Sequence, residues 1–445
     1  MSKVSEPETT PIQGRFGGPD GPALQDILRC VHCGLCLNHC PTYRELGLET
    51  ESPRGRLYLM RALSQGRIPV SQSVVRHLDL CLQCRNCEAV CPSGVRYGQL
   101  MEESRAQILR DGRRAPASWL ASRFVLRLFF SNPQRLRHLM ATLRLYQRSG
   151  FQGLLRRSRH LSVLPGPWRN LEQLLPPISA HPFTARGVVG SPADGPPRFR
   201  VALLSGCMMP YIYDRVHEAT VRVLVRHGCE VVVPSEQVCC GALHLHSGDR
   251  QEAKRLARRN IDVFLAENVD AIITNVAGCG AATKEYGELL KDDPRYAERA
   301  TRFSALVKDV TEFLADLPLS DGLSPLHQVV TYQDPCHLLH VQGVKSQPRA
   351  LLQAIPGLEL VEMSHPDQCC GSGGLYNIIH PRMADRLLRH KMRDVAATGA
   401  HVIATANVGC ALQLEAGLRR YGLAGRVAHV VELLDESYRN AAPAD

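Results

Sequence analysis

Two short cysteine runs with identical spacing constrain this chain more than any other feature. Each run reads Cys-x2-Cys-x2-Cys-x3-Cys-Pro, and the members are Cys30, Cys33, Cys36 and Cys40 in the first and Cys81, Cys84, Cys87 and Cys91 in the second. Bacterial ferredoxins use this spacing to bind cubane clusters, with the fourth cysteine of each run ligating the other cluster. We therefore expect two 4Fe-4S clusters, one held by Cys30, Cys33, Cys36 and Cys91 and the other by Cys40, Cys81, Cys84 and Cys87.

Zinc is the alternative for these thiols, because Cys-x2-Cys pairs also bind zinc. A zinc site takes its four ligands from two separated pairs, whereas each run supplies four thiols within eleven residues.

The first ten residues contain no apolar stretch, and no long apolar run follows, so we expect neither a signal peptide nor a membrane span. Without export, the 17 cysteines indicate metal or redox chemistry rather than a disulfide framework.

The segment between the two runs is expected to start a helix. Ser52 is placed as N-cap and Pro53 at the first helical position. Arg54 and Arg56 follow in the first turn. They would either stabilise a reduced cluster nearby or form an exposed basic turn, and the sequence leaves both interpretations open.

Eight further cysteines form an internal repeat. Cys207, Cys239, Cys240 and Cys279 in the first unit recur as Cys336, Cys369, Cys370 and Cys410 in the second, at offsets of 129 to 131 residues. A glycine follows each vicinal pair, at Gly241 and Gly371. This regularity indicates gene duplication and a pair of domains related by a pseudo-twofold axis.

Short apolar runs alternate with helical stretches in both repeats, which predicts parallel α/β domains. The predicted strands are Val201–Leu204, Glu230–Val233, Asp270–Ile273, Val329–Tyr332, Leu358–Val361 and Ala400–Ile403. The first and last cysteines of each repeat follow strand ends, where parallel sheets build their sites. We expect four thiols at one edge of each sheet, with the two edges able to face each other.

Three interpretations remain for the repeat thiols: another iron-sulfur centre, a redox-active disulfide, or a scaffold whose ancestral site is no longer used. Adjacent cysteines strain a disulfide, so metal ligation suits the Cys-Cys pairs better. Cys229 stands outside the repeat, in a predicted helix-to-strand turn, and is interpreted as a structural thiol.

The middle of the chain is strongly basic. Residues 112–171 contain twelve arginines, no lysine and no acid, which exceeds the formal net charge of +10 of the whole chain. Apolar residues interleave with the arginines, as in basic amphipathic helices that contact anionic lipid or an acidic partner. A solvated helix face is the alternative. No nucleic-acid-binding motif accompanies the charge.

The chain lacks a recognisable site for a hydride acceptor. No strand-linked Gly-x-Gly-x-x-Gly and no phosphate loop occur in the sequence. Because iron-sulfur clusters carry single electrons, a two-electron donor must be split elsewhere, typically by a flavin. The sequence therefore predicts an electron-carrying subunit with a flavoprotein partner.

The expected domains are 1–105 (ferredoxin type, helical), 106–197 (Arg-rich helices and linker), 198–322 and 323–445 (cysteine-rich α/β repeats).

These motifs together resemble the family of glycolate oxidase iron-sulfur subunits. The resemblance rests on the two cysteine runs, on Ser-Pro-Arg-Gly-Arg (52–56), on Asp-Pro-Cys-His (334–337) and on Cys-Cys-Gly-Ser-Gly-Gly (369–374). It implies a complex in which FAD-containing subunits oxidise glycolate to glyoxylate. This chain would pass the electrons to a quinone-type acceptor, peripherally bound at the inner face of the cytoplasmic membrane, and would itself hold no catalytic residue.

The same architecture is also similar to iron-sulfur subunits of lactate and glycerol-3-phosphate dehydrogenases and to heterodisulfide reductase relatives. In the last group the Cys-Cys-Gly domains hold an unusual cluster, and some motifs add one cysteine after the last. That extra ligand is missing in both repeats here, because Gly280-Ala281-Ala282 follows Cys279 and Ala411-Leu412-Gln413 follows Cys410. Two rival functions are a stand-alone disulfide reductase acting at the repeat thiols and a membrane-docking scaffold that assembles the flavoproteins.

Overall fold

The computed structural model describes residues 16–18, 20–111, 116–157, 172, 175–193, 195–319 and 322–440. The described residues up to Ser122, together with Leu245–Arg250, form one compact unit. The other described residues form a second compact unit.

The first unit is built from short helices. They are α1 (Leu24–Ile27), α2 (Pro41–Leu46), α3 (Pro53–Ser64), α4 (Gln72–Asp79), α5 (Asn86–Ala89), α6 (Tyr97–Asp111) and the start of α7 (Ala117–Val125), with a 3-10 turn at Glu49–Glu51. Fully buried Met60, Leu78 and Met101 form the centre of its core, one residue each from α3, α4 and α6.

Helix α3 begins as its sequence predicts. The Ser52 hydroxyl accepts the Gly55 amide at 2.9 Å, and Pro53 occupies the first helical position. A Cβ on Gly55 would lie 1.9 Å from the Glu49 carbonyl oxygen. Glycine at this position therefore lets the preceding 3-10 turn pack directly on the helix.

The second unit contains two sheets and the helices that cover them. Its strands are β1 (Gly187–Gly190), β2 (Phe199–Leu203), β3 (Cys229–Val233), β4 (Ala271–Thr274), β5 (Val307–Asp309), β6 (Val329–Tyr332), β7 (Glu359–Leu360), β8 (Val402–Thr405) and β9 (Arg426–His429). The described helices are α8 (Pro133–Arg148), α9 (Phe151–Arg157), α10 (Met209–Ile212), α11 (Asp214–Arg226), α12 (Ala242–His246, whose end belongs to the first unit), α13 (Arg250–Leu265), α14 (Ala277–Lys284), α15 (Tyr286–Leu289), α16 (Ala297–Leu306), α17 (Val310–Ala315), α18 (Gln347–Gln353), α19 (Tyr376–Ile379), α20 (Pro381–Ala397), α21 (Val408–Tyr421) and α22 (Val430–Asn440). Wider π-type turns occur at Leu126–Phe130 and His337–Val341.

The sheet topology shows the duplication. The first sheet has the order β1-β3-β2-β4-β5 and the second β7-β6-β8-β9, so the parallel part of one repeats the parallel part of the other. Strand β1 adds an antiparallel edge to the first sheet. The predicted fold class, a helical ferredoxin-type domain followed by two tandem α/β repeats, is confirmed, and β1, β5 and β9 are the strands that the sequence did not reveal.

One hydrophobic core extends through both repeats, from Val231 and Ile273 in the first sheet to Val330 and Ile403 in the second. A bidentate ion pair between Arg222 on α11 and Asp435 on α22, at 2.9 and 2.8 Å, also joins the repeats. The two sheets are therefore held in a fixed relation within this unit. None of the described helices is long and apolar enough to span a membrane.

Candidate iron-sulfur site

The two ferredoxin-type loops have the same backbone conformation. His32 and Gly34 in the first loop, and Gln83 and Arg85 in the second, have φ values of 56°, 85°, 55° and 61°. These residues occupy the second and fourth positions after the first cysteine of each run. Left-handed residues alternating with ordinary ones turn successive N–H groups toward one point, and such concavities hold anions, including many iron-sulfur clusters.

Five thiols of the first unit line one cavity. Four of them are the residues whose spacing predicts the first cluster, Cys30, Cys33, Cys36 and Cys91, and the fifth is Cys87. Burial raises the pKa of the Cys36 thiol to about 11 and also raises that of Cys30. The Cys91 sulfur accepts the Val95 amide at 3.5 Å. The cavity opens at Cys33, whose side chain is exposed.

Of the other four thiols of the runs, Cys40, Cys81 and Cys84 gather around Cys87. Burial raises the pKa of Cys87 well above its usual value, and the charges of Cys84, Cys40 and Cys81 raise it further. The Cys81 sulfur accepts the Gln83 amide at 3.4 Å and the Tyr97 hydroxyl at 3.7 Å. Three of these four thiols are buried, so this second site lies deeper than the first.

Both sites suit iron-sulfur clusters. Among the described residues, the lining of the first cavity supplies thiols and no carboxylate. Within the same described ranges, no three thiol, imidazole or carboxylate groups are already placed around a single ion position. Each thiolate of a cubane binds a different iron, so its ligands are spaced more widely than those of one ion. Binding must also release protons from thiols whose pKa values burial has raised.

The side chains of Arg54 and Arg56 lie beside different thiol sets, Arg54 at the first and Arg56 at the second. Arg54 lines the first cavity, donates to the His32 carbonyl at 3.3 Å and pairs with Glu49 at 2.7 Å. Arg56 is 1% exposed and pairs with Glu51 at 2.7 Å, and the charges of Cys81 and Cys40 act on its guanidinium. The exposed basic turn that the sequence allowed is therefore wrong for Arg56.

Each α/β repeat gathers its four thiols after the carboxyl ends of its strands. In the first repeat, Cys239 lies 3.8 Å from Cys207 and Cys240 lies 3.2 Å from Cys279, sulfur to sulfur. The hydrogen bond from Cys207 stabilises the Cys239 thiolate and holds its pKa well below the usual value. The Gly241 amide also donates to the Cys239 sulfur, at 3.5 Å.

The second repeat has the corresponding arrangement. Cys369 is hydrogen-bonded to Cys336, and Cys370 to Cys369 and Cys410; the bond from Cys369 is the main reason that the pKa of Cys370 lies well below its usual value. The Gly371 amide donates to the Cys369 sulfur at 3.5 Å. The Asn407 side chain donates to the Cys410 sulfur at 3.3 Å and accepts the Gly278 amide at 3.2 Å. Because Gly278 precedes Cys279, Asn407 connects the site-bearing edges of the two repeats.

Comparison with known protein families matches the regions that carry these sites. Residues 26–95 match the family described as "4Fe-4S dicluster domain", and residues 201–284 and 330–415 match "Cysteine-rich domain". Residues 119–175 match "Glycolate oxidase iron-sulfur subunit, linker region".

Relatives match over nearly the whole chain. The "Probable glycolate oxidase iron-sulfur subunit" of Bacillus subtilis (strain 168) is 44% identical over 93% of this chain and 94% of its own length. The chain belongs to the family of glycolate oxidase iron-sulfur subunits. The "Glycolate oxidase iron-sulfur subunit" of Escherichia coli (strain K12) is 33% identical over 92% of this chain and 94% of the relative. The shorter "Lactate utilization protein A" of Shouchella clausii (strain KSM-K16) is 31% identical over 53% of this chain and 98% of the relative.

Sequence reasoning missed two residues that organise the second thiol set, Arg105 and Thr42. Arg105 on α6 donates to the Cys81 carbonyl at 2.7 Å and to the His246 carbonyl at 2.8 Å. Thr42 donates to the Glu51 carbonyl at 2.7 Å and lies 3.2 Å from the Cys40 sulfur. No motif marks these residues, because their partners are backbone carbonyls brought close only by the fold.

Cys229 lies apart from the quartets. It begins β3 and is fully buried, and burial raises its pKa to about 11. This environment agrees with a structural thiol.

The basic linker region forms helices where it is described, from α7 to α9. Arg156 pairs with Glu172 at 2.9 Å, so its charge is already compensated. Arg135, Arg137 and Arg148 are exposed on α8, as are Leu145 on α8 and Phe151 and Leu154 on α9. Arg159, one of the twelve arginines of residues 112–171, lies outside the described residues.

Proposed function

We propose that this chain carries electrons from the FAD of a flavoprotein subunit, which oxidises glycolate to glyoxylate, through two 4Fe-4S clusters to a quinone-type acceptor. Cys30, Cys33, Cys36 and Cys91 hold the first cluster in this proposal, and Cys40, Cys81, Cys84 and Cys87 hold the second. The bound clusters supply one-electron transfer, and the protein supplies their position and surroundings. The assignment of glycolate as the substrate rests on the named relatives, whose sequences match along nearly the whole chain.

The proposal of an electron relay rests on one structural observation: Cys87, a proposed ligand of the second site, also lines the cavity of the first. The two thiol sets are therefore adjacent, and clusters bound to them would be neighbours. The first site opens to the surface at Cys33, and the second is buried. An electron that arrives at the exposed cluster has the buried cluster as its next acceptor.

The surface beside the first site is apolar. Val31 and Leu35 lie in the cysteine loop itself and are 67% and 58% exposed, and Tyr58, 49% exposed, has its ring 6.4 Å from that of His32. Exposed apolar groups at the rim of a redox site are the composition expected of a protein interface. We assign this surface to the flavoprotein subunit.

Negative charge on the apolar surface beside the first site should impede electron delivery from the flavoprotein to the first cluster. The double variant Val31→Asp and Leu35→Asp should lower glycolate-dependent quinone reduction by about tenfold or more, since about 1.4 kcal/mol of lost association corresponds to tenfold. Association is measured by co-purification with the flavoprotein and the clusters by electron paramagnetic resonance (EPR). Val188→Asp, on an exposed apolar residue of β1, is the matched control. Unchanged association of the double variant would place the flavoprotein elsewhere.

The basic helices support a peripheral position at the inner face of the cytoplasmic membrane. Arg135, Arg137 and Arg148 are exposed with the apolar side chains of Leu145, Phe151 and Leu154 in the same helical segment. Arginines attract anionic headgroups while apolar side chains enter the interface. This arrangement would place the chain beside a quinone acceptor in the lipid phase.

Neutralising these three arginines to glutamine should reduce binding to vesicles that contain phosphatidylglycerol by about tenfold or more, at about 1 kcal/mol per charge. The control replaces Arg302, Arg382 and Arg393, which are exposed in the α/β repeats, and so changes the net charge equally. Cosedimentation with vesicles measures binding. Equal losses in both variants would show that net charge alone governs binding and would contradict a docking face.

A further inference from the structure

A buried tyrosine hydroxyl lies against a sulfur of the second site. Tyr97 begins α6 and is 4% exposed. Its hydroxyl donates to the Cys81 sulfur at 3.7 Å, and among the described residues this sulfur is its hydrogen-bond partner. A phenol keeps its proton near neutral pH, because its ordinary pKa is about 10. Tyr97 therefore presents a neutral donor to a proposed ligand of the second cluster.

The turn that carries Tyr97 also serves the first site. The Val95 amide donates to the Cys91 sulfur at 3.5 Å, and the Tyr97 amide donates to the Val95 carbonyl at 2.8 Å. Tyr97 itself lines the cavity of the first site, as Cys87 does. The segment between Cys91 and α6 thus contacts ligands of both sites, and Tyr97 lies beside both.

A second hydroxyl lies near a sulfur of the same site, but its proton has another acceptor. Thr42 lies 3.2 Å from the Cys40 sulfur. Its hydroxyl donates to the Glu51 carbonyl at 2.7 Å and accepts a hydrogen bond from Arg56 at 3.1 Å. Because a hydroxyl has one proton, the Thr42 donor is already engaged. Tyr97 is the hydroxyl whose proton is directed at a sulfur.

The surroundings of the two sites make this donor important at the second one. The first site is exposed at Cys33, whereas Cys81 and Cys87 are buried. Within the described ranges, no side-chain hydroxyl donates to a sulfur of the first site. Reduction adds negative charge to a cluster, and adding charge is costlier where water is excluded. A donor aimed at a cluster sulfur offsets part of that cost, since hydrogen bonds to sulfur and solvent exposure both set cluster potentials.

We propose that the Tyr97 hydroxyl raises the reduction potential of the second cluster through its hydrogen bond to the Cys81 sulfur, and so keeps a buried cluster reducible. This role depends on the cluster ligands of the proposed function and names the residue that tunes one of the two clusters. The hydroxyl stabilises the reduced state more than the oxidised state and transfers no proton. Tyr97 is a positioning residue, because it acts through Cys81 and binds no iron.

A redox titration of the anaerobically purified full chain, followed by EPR, measures both midpoint potentials without the flavoprotein. The signal that Cys84→Ser removes belongs to the second cluster. In Tyr97→Phe, which keeps the ring and removes the hydroxyl, the midpoint of that signal should move by about 59 mV to more negative potential. This shift equals a tenfold lower ratio of reduced to oxidised cluster at a fixed potential. The first cluster should keep its midpoint.

Tyr332→Phe is the matched control. Tyr332 is also buried, but its hydroxyl has no hydrogen-bond partner among the described residues. This variant should shift neither midpoint. A 3-fluorotyrosine placed at position 97 has a stronger hydroxyl donor, so it should move the second midpoint to more positive potential. Electron-nuclear double resonance of the reduced second cluster should show an exchangeable proton that Tyr97→Phe loses and Tyr332→Phe retains.

An unchanged second midpoint in Tyr97→Phe, or equal shifts of both midpoints, would overturn this role of Tyr97. If Tyr97→Phe assembled only the first cluster, the fluorotyrosine protein would decide, and the absence of an upward shift would overturn the role. Iron and sulfide counts test the proposed function separately. Two clusters account for about eight iron atoms, so a chain without iron would contradict the relay itself. Unshifted potentials in a fully loaded chain would remove only the role of Tyr97.

Discussion

Replacing Cys84 by serine should abolish glycolate-dependent quinone reduction while glycolate still reduces the flavin of the partner subunit. Cys84 acts electrostatically on Cys87 in the buried second site, together with Cys40 and Cys81. A serine hydroxyl remains protonated near neutral pH and is a poor iron ligand. Loss of a ligand should therefore lower quinone turnover by more than about 100-fold, beyond what loss of an outer-shell partner costs.

The chain offers a matched control for this substitution. Cys229→Ala removes a thiol that is more deeply buried than Cys84 and belongs to neither cluster site nor to the repeat quartets. It should retain quinone turnover and both cluster signals. Single-turnover flavin bleaching, quinone reduction and EPR of the reduced complex separate the steps. Wild-type quinone turnover in Cys84→Ser would remove the second cluster from the electron path.

Arg56→Met should destabilise the first unit by about 3–5 kcal/mol, because it removes the guanidinium that pairs with the buried Glu51 carboxylate and leaves that carboxylate only the His77 ring nitrogen at 2.5 Å. Arg56 is surrounded on all sides: it bonds Glu51 at 2.7 Å, the Thr42 hydroxyl at 3.1 Å and the His77 carbonyl at 2.7 Å. Thr42 and Glu51 in turn contact Cys40. The loss of stability should therefore extend to the site of the second cluster.

Denaturant titration monitored by cluster absorbance measures this effect, and Arg54→Met is the control two residues earlier. The Arg54–Glu49 pair is largely solvent-exposed, with half of the Glu49 side chain accessible, so its removal should change stability little. A third variant, Arg56→Lys, keeps the charge but loses the forked geometry and should fall between the two. Equal midpoints for Arg54→Met and Arg56→Met would show that the buried ion pair does not stabilise this unit.

The sequence predicts the cysteine sets because spacing is a local property. The spacing predicts that each run wraps one centre, and the ligand sets stay a prediction. In the structure Cys91 lines the same cavity as Cys30, Cys33 and Cys36, and the charge of Cys40 acts on Cys87. The duplication was equally visible, since the offsets of 129 to 131 residues recur through both repeats.

Long-range features were not visible in the same way. Strands β5 and β9 are only three and four residues long and carry charged residues at their ends, so their patterns resemble loops. Strand β1 lies in a segment rich in Gly and Pro that reads as a linker. The different environments of Arg54 and Arg56 depend on packing against Cys40 and Cys81, which no local pattern encodes.

The claim that this chain is the electron relay is tested most directly by rapid-freeze EPR of the intact anaerobic complex after mixing with glycolate. Reduced-cluster signals should appear as the flavin is reduced and disappear when a quinone is added. Variants at Val31 and Leu35 should delay the appearance of these signals. If the flavin became reduced and passed its electrons to quinone while both clusters stayed oxidised, the relay through this chain would be contradicted.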